Sequence, residues 1–472
     1  MVEGSTIMLL DISRYNFLAY KKEFAALVAL ALPMLLSQVA QVGTGFVDTV
    51  MAGSISTSDL SAVGLGNSVF FTVYITLLGV MTALNPMISQ AFGVHKHKNT
   101  NDTQKAIGNL GWQGIWYGLF LGVVGLFLVW SVIGFFDKFL NLEAKTLAVS
   151  QLYLWFIGFA MPAALIHRAL HAYASSLGKP KAIMIVSWIC FFANIFLNWV
   201  FVYGKFGMPM LGGAGCGLAT AIVFWINALL LGLYIAKDKF FAPFGLFDKF
   251  RKPDIKLFGE ITRLGAPIGL SFFIEVSLFA CIIFLVAKLD GDTTKLISAQ
   301  QIVINLTSLI FMIPQSIGIA STVRIGINLG QNNPQQARYV SGVAISSAMA
   351  ISFLTASFLI IFRYKLADMY TDDLAVIDIC GTLLLFAAAF QLVDAIQCVA
   401  SYALRGYKIT KSPMIIHMIC FWGFGIIPGV IFAFWFGLGI YGFWLALVMS
   451  LAVAAISLLW LLEKHSKKLL IG

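Results

Sequence analysis

Apolar runs of about twenty residues or more recur from one end of this chain to the other, each long enough to cross about 30 Å of hydrocarbon. Lipid offers the backbone no hydrogen bonds, so each run has to satisfy its own N–H and C=O groups as a helix. Hydrophobic residues make up 60% of the chain and charged residues 11%. A soluble core of this length needs far more polar surface. The pattern predicts an all-α integral membrane protein with twelve spans: 24–50, 61–91, 107–134, 147–173, 182–203, 212–236, 262–287, 296–325, 339–362, 376–404, 412–436 and 439–462. The 42 glycines fit, because small residues let membrane helices approach closely.

The formal charge of +10 raises the question of nucleic acid, but its placement argues for topology. With the N-terminus in the cytoplasm and sides alternating, 24 of the 31 Lys and Arg residues fall on the cytoplasmic side. The other side holds Lys138, Lys145, Lys205, Lys288, Lys295, Arg363 and Lys365. The positive-inside rule then places both termini in the cytoplasm. The expected partner is the bilayer, not nucleic acid, and the expected state is a monomer. The six cysteines all fall in spans without metal-type spacing and read as small core residues. The first residues show no sustained apolar core after a basic start, so no cleavable signal is expected. Met8 offers an alternative start to Met1.

The two halves resemble each other. Leu32-Pro33 matches Ala266-Pro267 at an offset of 234, and 85–93 aligns with 322–330 at 237. Residues 172–179 align with 401–408 at 229, and 214–221 with 439–446 at 225. Four matches in order indicate a duplication. Six spans per copy make the repeats parallel, about an axis along the membrane normal. The expected division is a six-helix lobe at 1–236, a cytoplasmic linker at 237–258 and a second six-helix lobe at 259–472. Two pseudo-symmetric lobes suit alternating access.

Three carboxylates interrupt the apolar spans: Asp48, Glu275 and Asp394. A charge at the bilayer centre costs about 2.5–3.5 kcal/mol on the mildest scale, so an intramembrane acid marks function by default. No Lys or Arg lies beside any of them in sequence. Glu275 and Asp394 sit deep in the seventh and tenth spans. If they face one cavity, they share a proton or jointly hold Na⁺, either of which changes the local charge by one unit. Asp48 sits nearer the outer end of the first span, where an interfacial acid without a role is an equal alternative. The repeat maps Glu275 to Gln41 and Asp394 to Leu165, so the acidic pair belongs to the second half alone.

Phe279 lies one turn after Glu275, on the same helix face. A ring beside a carboxylate suits a lipophilic cation, and core packing is the competing role. Gln38, Gln41, Asn67, Ser68, Gln300, Gln301 and Gln391 line helix faces as substrate contacts or as glue between helices. His167 and His171 are i,i+4 neighbours without an acidic or Cys partner, a weak metal pattern. Asp372 and Asp373 precede the tenth span as solvated acids or as a docking point for a cation. Pro33 and Pro267 are repeat equivalents and hinge candidates, with a static kink as the alternative. No GxxxxGK[ST], HExxH or GxSxG occurs, which argues against ATP hydrolysis or an enzyme and for an ion gradient without a cofactor.

The segments 30–53, 161–181, 204–220, 265–275, 312–326 and 400–413 together make the chain resemble the multidrug and toxic compound extrusion family of transporters, over essentially its whole length. The resemblance implies export of cationic lipophilic drugs and dyes across a bacterial cytoplasmic membrane against inward Na⁺ or H⁺. It implies that Glu275 and Asp394 are the cation-binding acids of the second lobe. Asp48 would then be the first-helix acid, linked to coupling and substrate. Phe279, Ser68, Gln301 and Asp373 match positions near bound drugs in similar transporters. The chain departs from some relatives at Phe390 and Phe311, where a Tyr hydroxyl is replaced by a bare ring. A flippase for lipid-linked saccharides is the alternative. It would handle an anionic pyrophosphate, and the acids without a central base favour cationic cargo instead.

Overall fold

A computed structural model describes residues 9, 16–139 and 142–471, except for the side chains of 136–139 and 471. Met1 and Met8 lie outside the described residues. Among those residues, twelve helices are long and apolar enough to span a membrane. They are α1 (Phe17–Ile55), α2 (Thr57–Lys98), α3 (Asn101–Phe139), α4 (Ala144–Ser176), α5 (Lys181–Tyr203), α6 (Gly213–Lys237), α7 (Ile255–Val286), α8 (Thr293–Gly330), α9 (Pro334–Asp368), α10 (Leu374–Gly406), α11 (Lys411–Trp435) and α12 (Ile440–Ile471). Every expected span has its helix. Most helices run several residues past the apolar windows, because polar end turns continue a helix once its core is formed. α1, for example, fills 17–55 rather than 24–50.

Prolines account for two interruptions. α2 breaks between Met81 and Leu84, and α4 between Gly158 and Ala160. Thr82 and Gly158 stand four residues before Pro86 and Pro162, where a proline ring meets the i−4 carbonyl. α11 widens into π-helical turns at Ile419–Ile426 and Ile431–Trp435, on either side of Pro428. Pro33, Pro267 and Pro314 lie inside continuous helices.

The chain forms two compact units, one of residues 32–269 and one of residues 1–31 with 270–472. The sequence division at 236 and 259 differs from this, and side chains explain why. Glu23 of α1 takes a two-pronged ion pair from Arg324 of α8, through Nε and through Nη2 at 2.8 Å, and a hydrogen bond from Gln336 Nε2 at 3.3 Å. Tyr20 bonds Ser346 of α9 at 3.0 Å. The opening of α1 therefore packs within the unit of α8 and α9. The stretch 237–258 belongs to the other unit. Gln113 of α3 donates to Lys252 O (2.9 Å) and accepts from Asp254 N (2.7 Å), while Trp116 donates to Arg251 O (2.9 Å).

Glycines set the closest helix approaches in the unit of residues 32–269. A Cβ on Gly122 of α3 would stand 2.4 Å from Pro162 Cα of α4. A Cβ on Gly265 of α7 would stand 2.2 Å from Val80 O of α2, and one on Gly269 2.6 Å from Thr76 O. Gly265 and Gly269 are four residues apart on one face, the spacing that brings two backbones together.

Candidate functional site

In the unit of residues 1–31 with 270–472, which holds the second part of α7 and all of α10, Asp394 is buried at 3% exposure and Glu275 is half-buried. The two carboxyls lie within electrostatic reach of each other. Asp394 Oδ1 accepts a hydrogen bond from Gln397 Nε2 at 2.8 Å. Gln397 Oε1 in turn pairs with Nε2 of the buried His417 on α11 at 3.0 Å. His417 thereby fixes which end of the Gln397 amide faces the carboxylate.

Rings join the two helices beside these acids. Phe279, one turn after Glu275, meets Phe390, one turn before Asp394, with centroids 6.3 Å apart. Phe390 then packs against Trp444 at 5.7 Å. Trp444 Nε1 donates to Gln300 at 2.7 Å, and Gln391 donates to Thr307 O at 3.0 Å. These two glutamines therefore hold helices together. Gln301 is exposed and Phe311 half-buried on α8.

Arg405, eleven residues after Asp394 in the last turn of α10, has Glu275 within its field. Sequence adjacency does not show this relation, since it is made across helices.

In the other unit, Asp48 is buried at 5% exposure. Its carboxyl is enclosed by neighbouring helices rather than left exposed. Its Oδ1 accepts from Asn198 Nδ2 at 2.6 Å, and its Oδ2 from Thr220 Oγ1 at 2.8 Å. Asn198 Nδ2 also reaches Asn194 Oδ1 at 3.0 Å, while Asn198 Oδ1 is buried without a hydrogen-bond partner. An unpaired buried acceptor beside a carboxylate, an amide and a hydroxyl is a set of hard oxygen donors that suits a small cation. Sequence reading missed Asn194, Asn198 and Thr220. The i,i+4 spacing of the two asparagines in an apolar span was the available signal. Thr220→Val is expected to lower stability by about 1–3 kcal/mol, because Asp48 Oδ2 loses its donor in the interior. A thermal melt of the purified protein reads this, and an unchanged melt would show that the hydroxyl is dispensable.

Ser68 of α2 and Gln41 of α1 are exposed, with Ser68 Oγ turned onto Gly64 O at 2.8 Å. Asp373 caps α10 by accepting from Ala375 N at 2.9 Å, and Lys295 Nζ lies 3.4 Å from its other oxygen. The Ala375 N–H first, and Lys295 after it, hold the Asp373 carboxyl below the usual carboxylate range. His167 and His171 are buried, and Arg168 Nη1 lies 3.1 Å from His171 Nδ1. A guanidinium at that nitrogen opposes a second cation, and no group of three His, Cys, Asp or Glu occurs among the described residues.

The family model MatE matches the chain twice, over residues 33–200 and 267–431. The chain belongs to the MatE family. The two MatE matches open at Pro33 and Pro267, at the same offset of 234 that the internal repeat shows. Among curated relatives, a probable multidrug resistance protein NorM of Neisseria meningitidis serogroup A is 54% identical over 462 residues, 98% of each chain. The multidrug resistance protein NorM of Vibrio cholerae is 37% identical over 456 residues, 95% of this chain and 97% of that one. A solved structure of the MATE transporter NorM-NG, in complex with a dye and a monobody, aligns at a TM-score of 0.81 and 48% identity, over 100% of this chain and 98% of that one. The MATE transporter AtDTX14 aligns at a TM-score of 0.84 and 20% identity, which shows the shared fold. This MatE protein is thus a multi-pass multidrug transporter rather than an enzyme, all-helical, with two pseudo-symmetric lobes.

Proposed function

We propose that the transporter exports lipophilic cations, such as dyes and antibiotics, by antiport against Na⁺ or H⁺ across a bacterial cytoplasmic membrane, with both termini cytoplasmic. One observation carries the reading. Glu275 and Asp394, on different helices, come within electrostatic reach inside the membrane-spanning part of one unit. Two carboxylates so placed, one buried and one half-buried, repel each other, and binding Na⁺ or H⁺ relieves that repulsion. The dye bound to the NorM-NG relative supports dyes as cargo. Asp48, with its Asn198 and Thr220 partners, is assigned a second cation-coupling role and a substrate role. Phe279, Ser68, Gln301 and Asp373 are assigned to substrate contact, and Gln41, Phe311 and Phe390 are secondary candidates. Asp373 enters this set already paired with Lys295. The driving force is an ion gradient, with no cofactor, and the working unit is a monomer.

The lobes are proposed to be the repeats 1–236 and 259–472 joined by 237–258, with α1 and α7 bending at Pro33 and Pro267. In support, the two compact units divide at 31/32 and 269/270, beside these prolines. Pro33→Ala restores a backbone donor and stiffens α1. It is expected to slow dye efflux about threefold or more at unchanged ion dependence, and equal rates would dismiss the hinge.

The coupling itself is tested by ethidium efflux from proteoliposomes under separately imposed Na⁺ and pH gradients. Efflux that follows one gradient identifies the ion. Equal efflux with no gradient would end the antiport reading.

A further inference from the structure

Arg405 is the last basic side chain of α10, and it is buried at 5% exposure. Its guanidinium carbon lies 3.9 Å from the Tyr402 ring centroid and 5.1 Å from that of Phe272. Its Nη1 is buried with no hydrogen-bond partner. No ion pair among the described residues includes it. Arginine stays charged at any accessible pH, so this is a permanent buried cation without a carboxylate. Two rings stabilise it by cation–π contact, but rings do not accept the in-plane N–H that Nη1 offers.

The carboxylate that this donor lacks is close by. Phe272 stands three residues before Glu275 on α7, and i,i+3 positions share a helix face. The guanidinium therefore rests against the side chain one helical turn before Glu275 and has that carboxyl within its field. Its field also reaches Cys398 and His417, the second of which holds Gln397 against Asp394. Arg405 thus faces the acid pair from the end of α10, on a flexible stem.

We propose that Arg405 is a tethered cation that swings from its Tyr402–Phe272 cradle to Glu275 when the coupling ion leaves, and is displaced when the ion returns. The inference rests on the antiport reading of Glu275 and Asp394 and makes Arg405 a positioning residue of that site. The empty site then does not carry a bare buried charge. Ion binding becomes an exchange of one cation for another, and the affinity of the site is set by how well the guanidinium competes.

Two substitutions push this competition in opposite directions. Arg405→Gln removes the competitor and is expected to lower the ion concentration for half-maximal dye efflux by about tenfold, within the usual range of coupling between two sites. Phe272→Leu removes a ring that holds the guanidinium away from Glu275 and is expected to raise that concentration. Arg405→Lys keeps a charge without the planar fork and is expected to fall between wild type and Arg405→Gln. The assay is ethidium efflux from proteoliposomes at graded Na⁺ and, separately, graded pH. A purely structural role would reduce folded protein or maximal rate and leave the midpoint unmoved in all three variants. That result, with wild-type efflux still following the gradient, overturns the inference and leaves antiport standing. Wild-type efflux that ignores both gradients overturns antiport and the inference together.

Discussion

Asp394→Asn is expected to reduce gradient-driven dye efflux about a hundredfold, the upper end of usual coupling between two sites, while leaving the fold intact. The amide keeps an oxygen where Asp394 Oδ1 accepts from Gln397, so the Gln397–His417 bridge survives. In the proposed antiport, what disappears is the charge that an incoming Na⁺ or H⁺ would neutralise. Glu275→Gln removes the other charge of the pair and is expected to match it. Size-exclusion profiles equal to wild type would exclude misfolding as the cause. If Asp394→Asn retained full, gradient-sensitive efflux, the ion site would have to be sought elsewhere, with the Asp48 cluster next in line.

The largest expected loss of stability comes from a residue with no side chain. Gly265→Leu places a branched side chain where even a Cβ would stand 2.2 Å from Val80 O. A backbone carbonyl inside a helix cannot rotate aside, so α7 and α2 must separate. Overpacking of this kind costs about 1–3 kcal/mol, and more where the contact is to backbone. The expected outcome is a sharp fall in folded protein in the membrane and a lower melting temperature of what remains. Gly259→Leu, at a position where a Cβ meets nothing within 4 Å, is the matched control and should melt near wild type. Equal melting of the two variants would show that α7 and α2 adjust freely.

The membrane architecture was legible because lipid leaves the backbone one choice per span, and the twelve apolar runs reappear as twelve helices. Helix breaks were less legible. Pro86 and Pro162 interrupt their helices, yet Pro33, Pro267 and Pro314 do not, and composition alone does not separate the cases. The acids stood out by cost alone, but their surroundings are tertiary. Asp48 reaches Asn198 across 150 positions and Thr220 across 172. The guanidinium of Arg405 packs on the ring of Phe272 on another helix, three residues before Glu275. Partners that meet only when helices pack leave no periodic trace in the chain.

The unit boundaries at 31/32 and 269/270 carry an ancestral reading. Each repeat gives up the opening stretch of its first helix. Residues up to 31 join the unit built from the second copy, and the start of α7, with Gly265 against Val80, joins the unit built from the first. Two separate six-helix chains trading the same segment would form an entwined homodimer, each incomplete without its twin. Fusion of two such genes makes that mutual dependence permanent. Neither repeat of the present protein is then a self-sufficient body that was merely joined to a neighbour.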